Sequence, residues 1–236
     1  MRRLAVVVAL AGCGRSGFAA QPPDATADAA VDAPPGAIAF VQHANSMCGA
    51  VTTCSQSFMQ LVEPGHAIVV TTTYDDRTVS VSSVTDTSGN TYQPAVANVD
   101  WPVSTFRTST WFGTHAGTSS GVGVTVQYSA PPTSFAFVYL DEYANVTAVA
   151  DTASATGNGD TLAPSSGTRA VGAGQLIFGH AEGQGPLVGI GLNFTLRDTS
   201  NQNIEEDRLV TVDGAYDAHF TLNNLGEWIA VMVVLR

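Results

Sequence analysis

The sequence predicts an all-β protein, an antiparallel jelly-roll-like β-sandwich, and three observations carry that expectation. From Ile38 onward apolar residues alternate with polar ones or come in short bursts, as strands require. Gly, Pro, Asn or Asp interrupts them at roughly eight- to twelve-residue intervals, the rhythm of a sandwich or barrel. No helical period intervenes, and 236 residues with 44% hydrophobic and 12% charged side chains suffice for one good core.

The chain opens with Arg2 and Arg3 before an apolar run over 4–11. That run has the length of a signal-peptide core and is far shorter than the ~20 residues needed to span a bilayer. Residues 1–12 therefore read as an export signal. Leu10, Ala11, Gly12 and Cys13 follow, and they resemble the lipobox of bacterial lipoproteins: a leucine, two small residues, then cysteine. The resemblance implies cleavage before Cys13, a thioether-linked diacylglycerol on its sulfur and acylation of the new amino terminus. Several acyl chains hold firmly, because each buried methylene contributes ~0.8 kcal/mol and one myristoyl chain alone holds only marginally. Gly14 in place of aspartate implies, by the same resemblance, outer-membrane sorting if the cell is Gram-negative. The alternative is ordinary secretion after cleavage near Gly17, Phe18 and Ala19.

Residues 13–36 hold proline pairs at 22–23 and 34–35, with Asp24, Asp28 and Asp32 among alanines. Like charges four residues apart oppose a helix and the prolines confine one, so an extended, disordered tether is expected. It would average roughly 25–30 Å end to end as a flexible coil. The folded domain is placed at 37–236, one all-β body with no clear internal boundary.

Strands are expected over 38–42, 57–61, 66–74, 78–85, 91–97, 106–114, 122–128, 135–143, 174–181, 191–197, 209–212, 215–222 and 227–235. The last, "EWIAVMVVL", is apolar at nearly every position and should lie centrally with both faces covered. Of three cysteines, Cys13 is committed to lipid, which leaves Cys48 and Cys54. In an exported protein that close pair is expected to form a disulfide. The rival, a redox or metal pair, lacks the C-x-x-C spacing and a second Cys or His pair.

All nine basic residues are arginine against twenty acids, and the net charge of −11 argues against nucleic acid as a partner. The stretches "PGHAIVVTTTY", "VSSVTDTSGNTYQP", "STWFGTHA", "VTVQYSA", "VYLDEYANV", "NFTLRD" and "EWIAVMVVLR" resemble a jelly-roll-like sandwich module of secreted bacterial proteins. The resemblance covers 57–236 and departs at Phe112, Gly113 and Asn145. It implies the fold and no activity.

Candidate chemistry is sparse. Asp86, Ser88 and Asn90 have the alternate spacing of a calcium loop, but Ala95 stands where its bidentate acid belongs, so a turn explains them better. "GTSSG" formally matches a nucleophile elbow at Ser119, yet it separates two strands. Glu142 and the run Glu205, Glu206, Asp207 invite a glycosidase reading with two carboxylates. Asp141 and Glu142 point to opposite faces, so only one of them can enter a cleft. His43, His66, His115, His180 and His219 sit singly, and metal use would require them to converge in space. Trp101, beside Asp100 and Pro102, is the candidate ligand-binding residue, with Asp100 at its side: a rigid loop could present the indole to a sugar ring. The alternative is an indole folded back over a sheet edge. No catalytic or metal residue and no cofactor is assigned.

The expected function is a membrane-anchored lipoprotein of the cell envelope displaying a non-catalytic sandwich that binds glycan or another envelope component. The alternatives are a structural or protein-interaction role in the envelope, and a carbohydrate-active hydrolase.

Overall fold

The structure, a computed structural model, describes residues 36–119 and 121–236. The expected signal peptide, the expected lipidation site Cys13 and the expected tether up to residue 35 lie outside them. Seventeen strands follow one another among the described residues: β1 (Ala39–Cys48), β2 (Thr53–Ser57), β3 (Ala67–Tyr74), β4 (Val81–Asp86), β5 (Tyr92–Asp100), β6 (Arg107–Thr114), β7 (Gly123–Tyr128), β8 (Ala136–Ala144), β9 (Val149–Asn158), β10 (Arg169–Val171), β11 (Leu176–Gly183), β12 (Leu187–Gly189), β13 (Thr195–Asp198), β14 (Ile204–Leu209), β15 (Gly214–Tyr216), β16 (Thr221–Leu222) and β17 (Glu227–Leu235). One 3₁₀ turn, Ser200–Gln202, joins β13 to β14. The expected antiparallel, all-β, sandwich-like architecture is what the chain adopts.

Two five-stranded sheets, β1-β8-β3-β6-β5 and β13-β14-β11-β17-β9, face each other across the middle of the molecule. The outer face of the first is covered by β2-β7-β4, and that of the second by the ribbons β10-β15 and β12-β16. Both central sheets are thus buried on both faces. This explains why β3 and β17 are buried along their whole length and why "EWIAVMVVL" shows no alternation. β7 belongs to a covering sheet, and "GVTVQY" alternates accordingly.

The two halves, β1–β8 and β9–β17, share one topology. Read from the first strand of each half, the central sheets run first-last-third-sixth-fifth in both, as β1-β8-β3-β6-β5 and β9-β17-β11-β14-β13. Irregularities match as well. A register shift between Phe40 and Gln42 on β1 corresponds to one beside Val234 and Leu235, where β9 meets β17. The shift between Pro94 and Val96 on β5 corresponds to that between Leu196 and Asp198 on β13. Gly65 and Gly174, at φ +82° and +85°, occupy the same place before β3 and β11. The left-handed backbone there favours glycine.

Several expected strands need correction. Residues 58–61 form a loop, and the strand there is β2, four residues earlier. Residues 210–212 are loop too. β9, β10, β12 and β14 were not expected. β9, "VADTASATGN", is a sheet-edge strand of small and polar residues that gives little hydrophobic signal. β14, "IEEDRL", buries its first four residues, three of them acidic. The expected disulfide is present: Cys48, at the end of β1, bridges to Cys54 of β2, with Cα atoms 5.8 Å apart.

Candidate functional site

The seam between the two central sheets is apolar at one end and polar at the other. Ala67, Val69, Tyr143, Leu176, Phe178, Val233 and Leu235 fill the apolar end. The same strands continue with Thr71, Thr73, Tyr139, Asp141, His180 and Glu182, all buried. Period-two alternation fixes these faces: Asp141 points into the seam, while its neighbour Glu142 points outward to Gln42 and His66.

At the polar end four strands from both halves converge. His43 of β1 lies opposite Asp141 of β8 in register, with Nδ1 3.1 Å from Oδ1 of Asp141 and 3.1 Å from Oε2 of Glu205 on β14. Its Nε2 lies 3.5 Å from Oδ2 of Asp198 on β13. His180 of β11 stands behind Glu205. Its Nδ1 is 3.0 Å from Oε1 of Glu205 and its Nε2 is 2.7 Å from Oε1 of Glu182. With a carboxylate at each ring nitrogen, His180 is an imidazolium. Burial alone would lower its pKa, but Glu182 and Glu205 raise it to about 10. Burial likewise opposes protonation of His43, and Asp141, Asp198 and Glu205 override it to raise that pKa. Asp141 is pushed up to about 8, by burial first and then by the charge of Glu205.

The network extends along the seam. Thr73 donates to Oε1 of Glu182 at 2.6 Å, Thr108 pairs with Thr73 at 2.7 Å, and Nε1 of Trp101 donates to Thr108 at 3.4 Å. Trp101 is therefore structural. It is 3% exposed and meets Phe106 edge-on, so the expectation of an indole platform for a ligand is corrected. Asp100 does not line a site with it, because its carboxylate takes two hydrogen bonds from Arg107. The loop between β5 and β6 folds over the sheet because an indole buries a large apolar area once its N–H finds a partner.

Other candidates fall into structural places. Asp86 accepts from the backbone N–H of Ser88 and Asn90, from the Asn90 amide and from the Tyr92 hydroxyl, which organises the turn between β4 and β5. Ser119, on the loop between β6 and β7, donates to Glu63. Glu142 and Glu206 cannot flank one scissile bond. Glu142 faces the covering sheet of its own half. Glu206 faces away from the seam on the other half, accepting from the backbone N–H of Gly191 and His219, and burial raises its pKa to about 7. Their strand neighbours Asp141 and Glu205 are the pair that meet.

No family model, curated protein or solved structure matches this chain. Two features then remain to be weighed. One is the His43 cluster, whose donor set could hold a metal: His43, Asp198 and Glu205 each bring one ligand atom within 4.8 Å of the others. The other is a surface groove that sequence reasoning missed. It runs past the edge strand β5, where that strand meets the edge strand β9, as two adjoining depressions of about 300 and 400 Å³ that share Gln93 and Phe112. Asn90, Thr91 and Thr114 line one, and Asp151 and Thr152 the other. Phe112 is half-buried between them, and Gln93 is exposed. Asn90, Phe112 and Gly113, each noted in the sequence for other reasons, line the groove, and none of them was read there as part of one.

Proposed function

We propose that this chain is an exported, lipid-anchored protein of the cell envelope, held at Cys13, whose twin sandwich binds glycan without catalysis. The observation that carries the ligand class is the groove at Phe112. A half-buried phenyl ring is flanked by side-chain amides and hydroxyls, with Asp151, 3.6 Å from Arg169, at one end and no arginine among its described lining residues. A pyranose matches this, since it offers an apolar face to an aromatic ring and hydroxyls to amides. The lipobox and the tether support display at a surface. Burial of Asp141 and Glu205 inside the seam, and the separation of Glu142 from Glu206, favour binding over hydrolysis.

A second reading, contact with an envelope protein, is favoured by apolar side chains left in water on the loop after β2. Met59 is 96% exposed and Leu61 59%. A glycan array and a cell-wall pulldown separate the two. Retention on polysaccharide that drops in Gln93→Ala and Thr152→Ala supports the groove. Absence of any glycan ligand for the wild type, with capture of a protein that Met59→Ser releases, supports the second reading. For the anchor, mass spectrometry of the mature amino terminus is expected to show an acylated Cys13. An unmodified peptide beginning at Ala20 would refute it.

A further inference from the structure

We propose that a divalent transition-metal ion, Zn²⁺ by the chemistry of the donors, binds at Nδ1 of His43 with Asp141 and Glu205, while Asp198 holds the ring from Nε2, and clips the two halves together. The inference stands apart from the groove and from its ligand. Two of these residues, His43 and Asp141, belong to β1 and β8 of the first half; Asp198 and Glu205 belong to β13 and β14 of the second.

Three observations support a cation. The first is spacing. Nδ1 of His43 is 3.1 Å from Asp141 Oδ1 and 3.1 Å from Glu205 Oε2. Donors on a tetrahedral ion with bonds of 2.0–2.1 Å stand about 3.3 Å apart. The second is an excess of acceptors. Nδ1 can carry one proton, yet two carboxylates crowd it. Oδ2 of Asp141 and Oε2 of Glu205 are buried and receive no hydrogen bond, although both side chains are at most 1% exposed. A buried carboxylate oxygen without a donor is costly, and a metal ion relieves that cost directly.

The third is charge. Four carboxylates, Asp141, Asp198, Glu182 and Glu205, face two imidazoles, His43 and His180. Even with both imidazoles charged, four ionised carboxylates leave a net negative charge, which one divalent cation balances. Arg197, on β13, is committed to Asp207 through bonds of 2.7 and 2.9 Å.

Donor type selects among metals. A mixed imidazole and carboxylate set suits Zn²⁺, whereas Ca²⁺ calls for six to eight oxygens. His180 fixes the other oxygen of Glu205, the outer support that metal-binding carboxylates commonly have. The side chains of His43 and Asp198 are each 13% exposed, which leaves a way in from the rim.

The test uses the full-length, untagged chain in detergent, stripped with a chelator and reloaded with Zn²⁺, Mn²⁺ or Ca²⁺. Bound metal is counted by elemental mass spectrometry and affinity is read by calorimetry. About one Zn²⁺ per chain is expected, with a higher unfolding temperature on reloading and weaker binding of Ca²⁺. Asp198→Asn, at the rim, and His180→Gln, which acts through Glu205, should each weaken Zn²⁺ by roughly 10–100-fold. Should either variant fail to fold, Co²⁺ loaded into the wild type decides: visible bands of a nitrogen- and oxygen-ligated ion are expected. Zn²⁺ far below one equivalent, or unchanged affinity in two folded variants, overturns the proposal.

Discussion

Asp141 and Glu205 approach one imidazole from opposite halves of the molecule, each with an oxygen 3.1 Å from Nδ1 of His43. Neither strand could place its carboxylate there alone. The meeting depends on the central sheets packing face to face with β8 and β14 in reach of each other. In chelator-treated protein the two side chains should therefore be energetically coupled. A double-mutant cycle with Asp141→Asn and Glu205→Gln, followed by denaturant unfolding, is expected to give an interaction energy of about 0.5–3 kcal/mol. Strict additivity would mean that the carboxylates do not sense each other.

Trp101 roots the opposite end of the same network, under the loop between β5 and β6. Its indole is buried against Phe106 and its N–H reaches Thr108. Trp101→Ala should lower stability by about 3–5 kcal/mol through the cavity it leaves. Glycan retention should fall only as far as the folded fraction does. Trp101→Phe, which keeps most of the volume, should bind like wild type. A selective loss of binding in the well-folded phenylalanine variant would return the indole to the ligand site.

The turn at Asp86 supplies a pH-dependent contribution. Burial raises the pKa of this carboxyl, but the Asn90 amide, the Tyr92 hydroxyl and two backbone N–H groups outweigh it, and the net shift is downward. A carboxyl held below its unfolded value contributes stability that is present above that value and is lost as pH falls through the folded one. Wild type should therefore lose stability relative to Asp86→Asn as the solution is acidified below about pH 4. At neutral pH, Asp86→Ala should cost about 1–3 kcal/mol, because it leaves turn donors unmatched. Equal acid sensitivity in wild type and Asp86→Asn would contradict this account.

The disulfide joins the end of β1 to β2, and so ties a central sheet to its covering sheet. Its loop is short, and Cys48→Ser with Cys54→Ser should lower stability by about 2.5 kcal/mol in the chain-entropy account. Equilibrium unfolding of the double variant checks the figure. Cys54 is fully buried in the core of the first half, so Cys54→Ser alone should cost more than Cys48→Ser alone.

Local chemistry was legible in the sequence where it depended on neighbours. "VTDTSGNTY" read correctly as a turn, "EWIAVMVVL" as a central strand and Cys48–Cys54 as a bridge. Each of these is settled within about ten residues by alternation, turn preference or cysteine spacing. The metal-like centre was not legible, since His43, Asp141, Asp198 and Glu205 come together only through the register of four strands and the packing of two sheets. Glu142 and Glu206 stand in the sequence directly beside Asp141 and Glu205, and all four drew notice together. Both pairs are acidic on a strand, and only the sense of the pleat decides which carboxylate turns into the seam. Trp101 shows the limit for loops, where the sequence offered both an exposed and a folded-back indole and the burial of Thr108 beneath it decided.

The duplication was within reach, because "EPGHAIVV" before and along β3 has a counterpart in "GAGQLIFG" before and along β11. Gly65 and Gly174 stand at the same point of that pattern with nearly the same positive φ. An added Cβ would meet nothing within 4 Å at either site, so any cost of substitution comes from the backbone alone. A left-handed residue other than glycine carries a penalty of roughly 1–2 kcal/mol. Gly65→Ala and Gly174→Ala should each destabilise by about that amount, equally within a few tenths, and the double variant should show their sum. Asn at either position should recover part of the loss, as asparagine tolerates this region better than alanine. A large difference between the two alanine variants would mean that the halves, though alike in strand order, do not carry the same strain at matching turns.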